Sequence, residues 1–281
     1  MRTCIFTAIF KEQPLEFAAS EAARIGYEAL ELRALSHLPL DSSPARVREV
    51  RRIIQGHGLD VVGIYARGGS YANLSDAACQ EQLDHLKRYV EMGAELGAGF
   101  VVDWPGGPPP AQAQATDWAR AAHWLGLAAD GAAAAGLRIA LELHFGGLVE
   151  TADDGLKMLD LIGRDNVGLI YDAGNLHLTP APYGPEVIRR LGSRIIHFHV
   201  KDEALRGEPG DPSRGEMFGR VFWHRFLGEG EVDHQPLFRA MQGIGYQGYL
   251  SVECHAAGPS PSYVAEKELA AVKRMLSRLA V

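Results

Sequence analysis

Apolar runs of four or five residues alternate with longer stretches whose apolar positions recur at helical spacing. A glycine marks almost every passage from the second kind to the first. Gly26 precedes Ala29-Leu30-Glu31-Leu32, Gly58 precedes Val61-Val62-Gly63-Ile64, and Gly97 precedes Phe100-Val101-Val102. Gly136 stands before Leu137–Leu141, Gly163 before Val167–Tyr171, Gly192 before Ile195–Phe198 and Gly245 before Tyr249–Val252. Glycine suits a helix end because the closing residue is often left-handed, which costs it nothing. With an opening strand in Met1–Thr7, the pattern predicts eight strands, each followed by a helix. Eight such units predict an α/β fold, a closed (β/α)8 TIM barrel of parallel strands, and the 281 residues fit one such domain over 1–281. A doubly wound open sheet would carry a glycine-rich phosphate turn after its first strand, and Ala8-Ile9-Phe10-Lys11-Glu12 has none.

Polar punctuation refines this picture. Ser43-Pro44 and Ser260-Pro261 pair a capping side chain with a first-turn proline. Ser75-Asp76, Thr116-Asp117 and Thr151-Ala152-Asp153-Asp154 also predict helix starts. Trp104-Pro105-Gly106-Gly107-Pro108-Pro109-Pro110 predicts a stiff loop after the fourth strand. Residues 203–227 add length without a helical pattern, and they carry Phe222-Trp223-His224-Arg225-Phe226. Long loops in compact domains are usually functional, so this one is expected to be a lid, mobile without ligand and closing with Trp223 over the mouth.

The formal net charge is −7, from 28 basic and 35 acidic residues, which lacks the basic footprint of a nucleic-acid partner. Cys4, Cys79 and Cys254 are three, widely spaced and without a CxxC pair, which suits a reducing compartment rather than a disulfide framework. The first residues read as a strand, not a leader, and no run approaches the roughly 18 apolar residues of a membrane span. The expectation is a cytoplasmic protein with no membrane partner.

Four strands end on residues that bind metals. They lie in Leu141-Glu142-Leu143-His144, Ile170-Tyr171-Asp172, His197-Phe198-His199-Val200-Lys201-Asp202 and Ser251-Val252-Glu253-Cys254-His255. In a barrel of this kind the site lies at the C-terminal ends of the strands. Side chains alternate along a strand, so Glu142 and His144 share a face, as do His197, His199 and Lys201, and Glu253 and His255. Glu142, Asp172, His199 and Glu253 then ring the mouth, while Cys254 points outward against helices. Hard oxygen donors with one imidazole suit one divalent ion, Mn²⁺ or Mg²⁺ first, with Co²⁺ or Zn²⁺ also accommodated. The donor charge of −3 against +2 leaves a carboxylate free to move a proton. A lone charged strand end is as often solvated or ion-paired as functional; four on consecutive strands decide for a site.

Residues around the ring carry a functional and a plain reading. His197 lies two positions deeper and reads as a satisfied core histidine. His144 and His255 are placed to hold substrate or support a ligand, His144 especially, because Gly146-Gly147 leave open space beside it. Lys201 either neutralises spare carboxylate charge or meets a developing alkoxide. Asn175 bonds a substrate hydroxyl or shapes its turn. Trp104 and Trp223 are candidates to floor or cover a sugar, and Arg206 and Arg220 read as solvated surface charges.

In those motifs, and in Leu227–Asp233 and Ile244–Glu253, the chain resembles the sugar phosphate isomerase/epimerase family with its xylose isomerase-like barrel. The resemblance is detailed from residue 137 to 255 and architectural before that. It implies that Glu142, Asp172, His199 and Glu253 bind the metal. In ketose 3-epimerases of this superfamily, the residues matching Glu142 and Glu253 also exchange the proton on opposite faces of a cis-enediolate. The implied activity is a metal-dependent isomerase or epimerase of a small sugar, sugar phosphate or keto-sugar, in a barrel of a kind that often forms homodimers. Those epimerases commonly carry histidine where this chain has Asn175. Lyases and dehydratases of the same fold, acting on keto-sugars, inositol or related polyols, keep the four ligands and are the alternative. Endonuclease IV-type DNA repair enzymes add a histidine three residues after the metal aspartate and an Asp-x-His in the seventh loop; Asn175 and residues 203–227 lack both. A non-catalytic sugar-binding protein is the third class, against which the intact constellation argues.

Overall fold

The computed structural model describes residues 1–66 and 68–279. Among the described residues are eleven strands: β1 Arg2–Phe6, β2 Ala29–Arg33, β3 Asp60–Tyr65, β4 Phe100–Asp103, β5 Arg138–Glu142, β6 Val167–Asp172, β7 Ile195–Val200, β8 Asp202–Ala204, β9 Arg214–Met217, β10 Arg220–Arg225 and β11 Tyr249–Val252. Eight of them close a parallel barrel in the order β1-β11-β7-β6-β5-β4-β3-β2. The expected (β/α)8 TIM barrel is the observed fold. Among the described residues, no helix is long and apolar enough to cross a membrane.

The helices begin and end largely where the punctuation places them. Ser43, Ser75 and Ser260 accept from the backbone N–H three residues on, at the starts of Pro44–Gly56, Asp76–Leu96 and Pro261–Ser277. Thr151 and Asp154 form a reciprocal capping box before Ala152–Ile162. Left-handed Gly26, Gly97 and Gly163 close their helices. One start differs from expectation. The helix Ala115–Ala134 is capped by Gln114, and Thr116 lies inside its first turn. Asp117 accepts from the Gln114 N–H at 2.8 Å, so the acid signal was right and the cap lies two residues earlier.

Two apolar layers hold the barrel. Outward strand residues such as Ile5, Leu30, Ile64, Leu141, Leu169 and Leu250 are fully buried against helices, in one continuous core. Inside, Phe100, Val102, Ala140 and Ile170 form a small plug. Gly63 admits the Phe100 ring there, since a Cβ at that position would lie 2.2 Å from Phe100 Cε2.

Residues 203–227 are not the structureless loop expected. β8, β10 and β9 form a three-stranded antiparallel sheet, and β9 and β10 are joined through Phe218-Gly219. Both turn residues have positive φ, 50° and 74°. This handedness matches the twist of the flanking strands in a two-residue hairpin, and it is rare for a bulky side chain.

Candidate metal centre

β5, β6, β7 and β11 are successive neighbours in the barrel, so their ends form one arc. The register staggers as it goes round. Glu142 pairs with Ile170, Asp172 with His199, and His199 with Ser251, two residues before Glu253. Alternation turns all four side chains inward at one level. Each offers a donor atom, and these atoms lie within 4.8 Å of one another, all four residues being buried. His199 Nδ1 is 3.0 Å from Glu142 Oε1, 3.3 Å from Glu253 Oε2 and 3.7 Å from Asp172 Oδ2.

Neighbouring side chains and one backbone N–H hold the carboxylates in place. Tyr65 donates to Glu142 Oε2 at 2.8 Å, and the Asn175 amide to Glu142 Oε1 at 3.1 Å. The backbone N–H of Asn175 donates to Asp172 Oδ1 at 2.8 Å, and His255 Nε2 lies 3.0 Å from Glu253 Oε1. Lys201 Nζ reaches Asn175 Oδ1 at 2.9 Å, Asp172 Oδ2 at 3.0 Å and Glu253 Oε2 at 3.2 Å. Asp172 Oδ2 is buried and has no hydrogen bond of good geometry, its contact with the ammonium being ionic only.

Burial alone would drive these groups to their neutral forms. For Asp172 and Glu253 it pushes the carboxyl upward, but Lys201 and His199 outweigh it and hold both below the usual range. Burial pushes the Lys201 ammonium down, and Asp172, Glu253 and Glu142 more than offset that, so it stays charged. His199 is likewise held well above its usual value, with Glu31 opposing desolvation together with the three ring carboxylates. The arrangement is a cluster of anions short of positive charge. Three carboxylates, one imidazole and an orphaned buried oxygen fit a divalent ion of the hard or borderline kind.

Glu253, Lys201 and Asn175 line a cavity of about 850 Å³ at the C-terminal ends of the strands, walled by Tyr65, Asp103, Trp104, His144, Phe218 and His255 among others. His144 is half-buried, with its ring edge-on to Trp104 at 5.4 Å and Nδ1 2.6 Å from the Phe145 carbonyl. The open space expected beside it is filled. A Cβ on Gly146 would meet the Phe218 ring at 2.1 Å, and one on Gly147 would meet Trp104 at 2.7 Å. The glycines let aromatic rings lie flat on the backbone.

Trp223 does not cover the mouth. It is almost buried, its Nε1 donates to the Glu208 carbonyl at 2.9 Å, and its ring packs on Gly207. Alternation along β10 gives the cavity Phe222 and His224 instead. Arg206 is exposed as expected. Arg220 bonds the Leu178 carbonyl and approaches Glu150 at 3.8 Å.

Tyr65, Phe218 and Glu31 are among the residues that escaped sequence reasoning. Tyr65 ends β3 two residues after Gly63, and that alternation was readable. Phe218 is hidden in a turn that usually holds asparagine or aspartate. Glu31 is a lone acid in an apolar strand. Buried beneath the ring, it accepts from Ser251 Oγ at 2.7 Å, His199 Nε2 at 3.0 Å and His197 Nε2 at 3.1 Å. His197 is therefore the satisfied core histidine expected.

The chain matches the xylose isomerase-like TIM barrel family over residues 19–275. It is 26% identical over 255 residues to the rhizopine catabolism protein MocC of Rhizobium meliloti, covering 86% of this chain and 75% of that one. Inosose dehydratase of Clostridium botulinum is 24% identical over 260 residues, 86% of this chain and 83% of its own. Fructoselysine 3-epimerase of Shigella flexneri is 23% identical over 263 residues, 90% of each chain. Among solved structures, a xylose isomerase domain protein from Alicyclobacillus acidocaldarius superposes with a TM-score of 0.81 at 17% identity over 100% of both chains. The IOLI protein with a bound zinc atom gives 0.80 at 19% over 99% of both. At these identities the structural likeness speaks for the fold.

Proposed function

Since the chain belongs to the xylose isomerase-like TIM barrel family, we propose that it is a metal-dependent isomerase or epimerase of a small sugar or sugar derivative. The reading is carried by one observation: Glu142 and Glu253 sit with Asp172 and His199 in a single buried ring, and Glu253 of that ring lines a cavity large enough for a sugar. The fructoselysine 3-epimerase relative supports it.

Glu142, Asp172, His199 and Glu253 would hold one divalent ion, Mn²⁺ or Mg²⁺ by donor chemistry. Such an ion supplies Lewis acidity to a carbonyl and its neighbouring hydroxyl, acidifying the carbon between them. Glu142 or Glu253 removes that proton, and the other returns it at a different face or atom. Tyr65 and Asn175 fix the rotamer of Glu142, and His255 fixes that of Glu253, so each acid meets the substrate in one orientation. Lys201 keeps both Asp172 and Glu253 ionised, which a proton acceptor requires. Positioned transfer of this kind contributes about 10²–10⁴-fold to rate.

The inosose dehydratase relative favours a second reading with the same residues. There the proton is removed in the same way, and a neighbouring hydroxyl leaves as water. A panel of keto- and aldo-sugars and inososes, incubated with Mn²⁺-loaded protein in D₂O, tests both. Deuterium at carbon with no loss of mass as water is the expected result, and dehydrated product moves the assignment to the lyase. Glu253→Gln, with metal retained, is expected to lose at least 10²-fold in kcat with KM little changed. Proton exchange at the wild-type rate in that variant rejects the acid–base role.

A further inference from the structure

Beneath the ring, the barrel interior holds a carboxylate that the proposed chemistry does not use. Glu31 comes from β2, three strands round the barrel from β7, and is fully buried. A buried carboxylate is costly unless each oxygen is satisfied. Here both oxygens face donors. His199 Nε2 lies 3.0 Å from Oε2 and 3.2 Å from Oε1, His197 Nε2 3.1 Å from Oε2, and Ser251 Oγ 2.7 Å from Oε2. His199 therefore stands between two carboxylate levels, with Nε2 toward Glu31 below and Nδ1 toward Glu142, Asp172 and Glu253 above.

We infer that Glu31 is a positioning residue for the metal centre: by accepting the Nε2 proton of His199 it sets the tautomer and ring plane that present the Nδ1 lone pair to the ion. A carboxylate behind a ligating imidazole also makes the ring a stronger donor, and loss of such partners typically weakens metal affinity 10–100-fold. The geometry argues against Glu31, His197 and His199 forming a separate ion site. All three are buried in the barrel interior, and the Glu31 oxygens are already committed to donors. The inference rests on the metal reading above, and its test separates the two.

Mn²⁺ affinity is measured on wild type, Glu31→Gln and His197→Gln by competition with a chromophoric chelator, with circular dichroism and thermal melts as the folding control. Wild type binds one equivalent. Glu31→Gln keeps the shape but loses the anionic acceptor, and its Kd rises 10–100-fold. His197→Gln disturbs the same pocket without touching a ligand, and its Kd stays within about threefold of wild type. Equal affinity in wild type and Glu31→Gln overturns the inference, as does an equal loss in both variants, which reports only a damaged core. Wild type that binds no Mn²⁺ overturns the metal reading and this inference with it. Should Glu31→Gln not fold, ¹⁵N-histidine spectra of Zn²⁺-loaded wild type decide. His199 protonated at Nε2 is the expected state, and protonation at Nδ1 overturns the assignment.

Discussion

Replacing Lys201 with methionine keeps an unbranched stem out to Cε and removes the ammonium with its charge. Nζ lies 3.0 Å from Asp172 Oδ2 and 3.2 Å from Glu253 Oε2, beside the three carboxylates of the ring. At an effective dielectric near 20, each contact is a gross attraction of about 5 kcal/mol. Desolvation of the buried ammonium offsets much of that, and breaking one side of a buried pair costs about 3–5 kcal/mol in practice. Unfolding entropy for a chain of this length is roughly 0.6 kcal/mol/K, so the melting temperature of metal-free Lys201→Met should fall by about 5–8 °C. Saturating Mn²⁺ brings positive charge to the same oxygens. It should raise the melting temperature of Lys201→Met more than that of wild type, and so narrow the gap. Scanning calorimetry of both proteins, chelator-treated and Mn²⁺-loaded, reads all four values. An unchanged metal-free melting temperature, or an equal Mn²⁺ increment in both proteins, refutes Lys201 as the counter-charge of the ring.

Glu268 is buried, accepts from the Leu227 N–H at 3.0 Å, and is pushed up to about 7 by burial. A folded value above the unfolded one means its stability contribution is complete below about pH 4.5 and is lost as pH rises through about 7. Relative to Glu268→Gln, wild type should therefore lose up to about 3 kcal/mol between pH 4.5 and 8, and parallel pH–stability profiles would reject this. Phe218→Gly relieves a positive-φ aromatic, worth about 1–2 kcal/mol, against a glycine entropy cost of about 1 kcal/mol, so stability should stay within about 1 kcal/mol. The same change uncovers Gly146 at the mouth, so KM should rise severalfold, and an unaltered KM removes Phe218 from the substrate cover.

Much of the barrel was legible because its signals are local. Apolar strand runs and left-handed glycines are properties of a few adjacent residues, and they located all eight barrel strands. The four ring residues were legible for a related reason: each stands at a strand end, and strand ends in this architecture share one face. What stayed hidden depends on contacts distant in sequence. Glu31 gains its meaning only from His197 and His199 across the barrel interior. The β8–β10–β9 sheet was missed because β8 and β9 are short and charged, and because Phe218 occupies a turn position where asparagine would have announced a hairpin. Trp223 was misplaced with it. Without β10 there was no alternation to say that Phe222 and His224, rather than the indole, face the cavity.

The staggered register separates what can vary from what cannot. All four ring residues sit on or directly after hydrogen-bonded strands, whereas Trp104, Phe145, Phe218 and His224 come from the β4 and β5 loops and the β9–β10 hairpin. A one-residue insertion in β5, β6, β7 or β11 would turn a ring side chain into the helix layer and abolish the centre. Insertions in the loops or the hairpin would reshape only the walls. The floor is thus fixed by strand register and the walls by loop length, so the shape of the cavity can change while the ring beneath it stays in place.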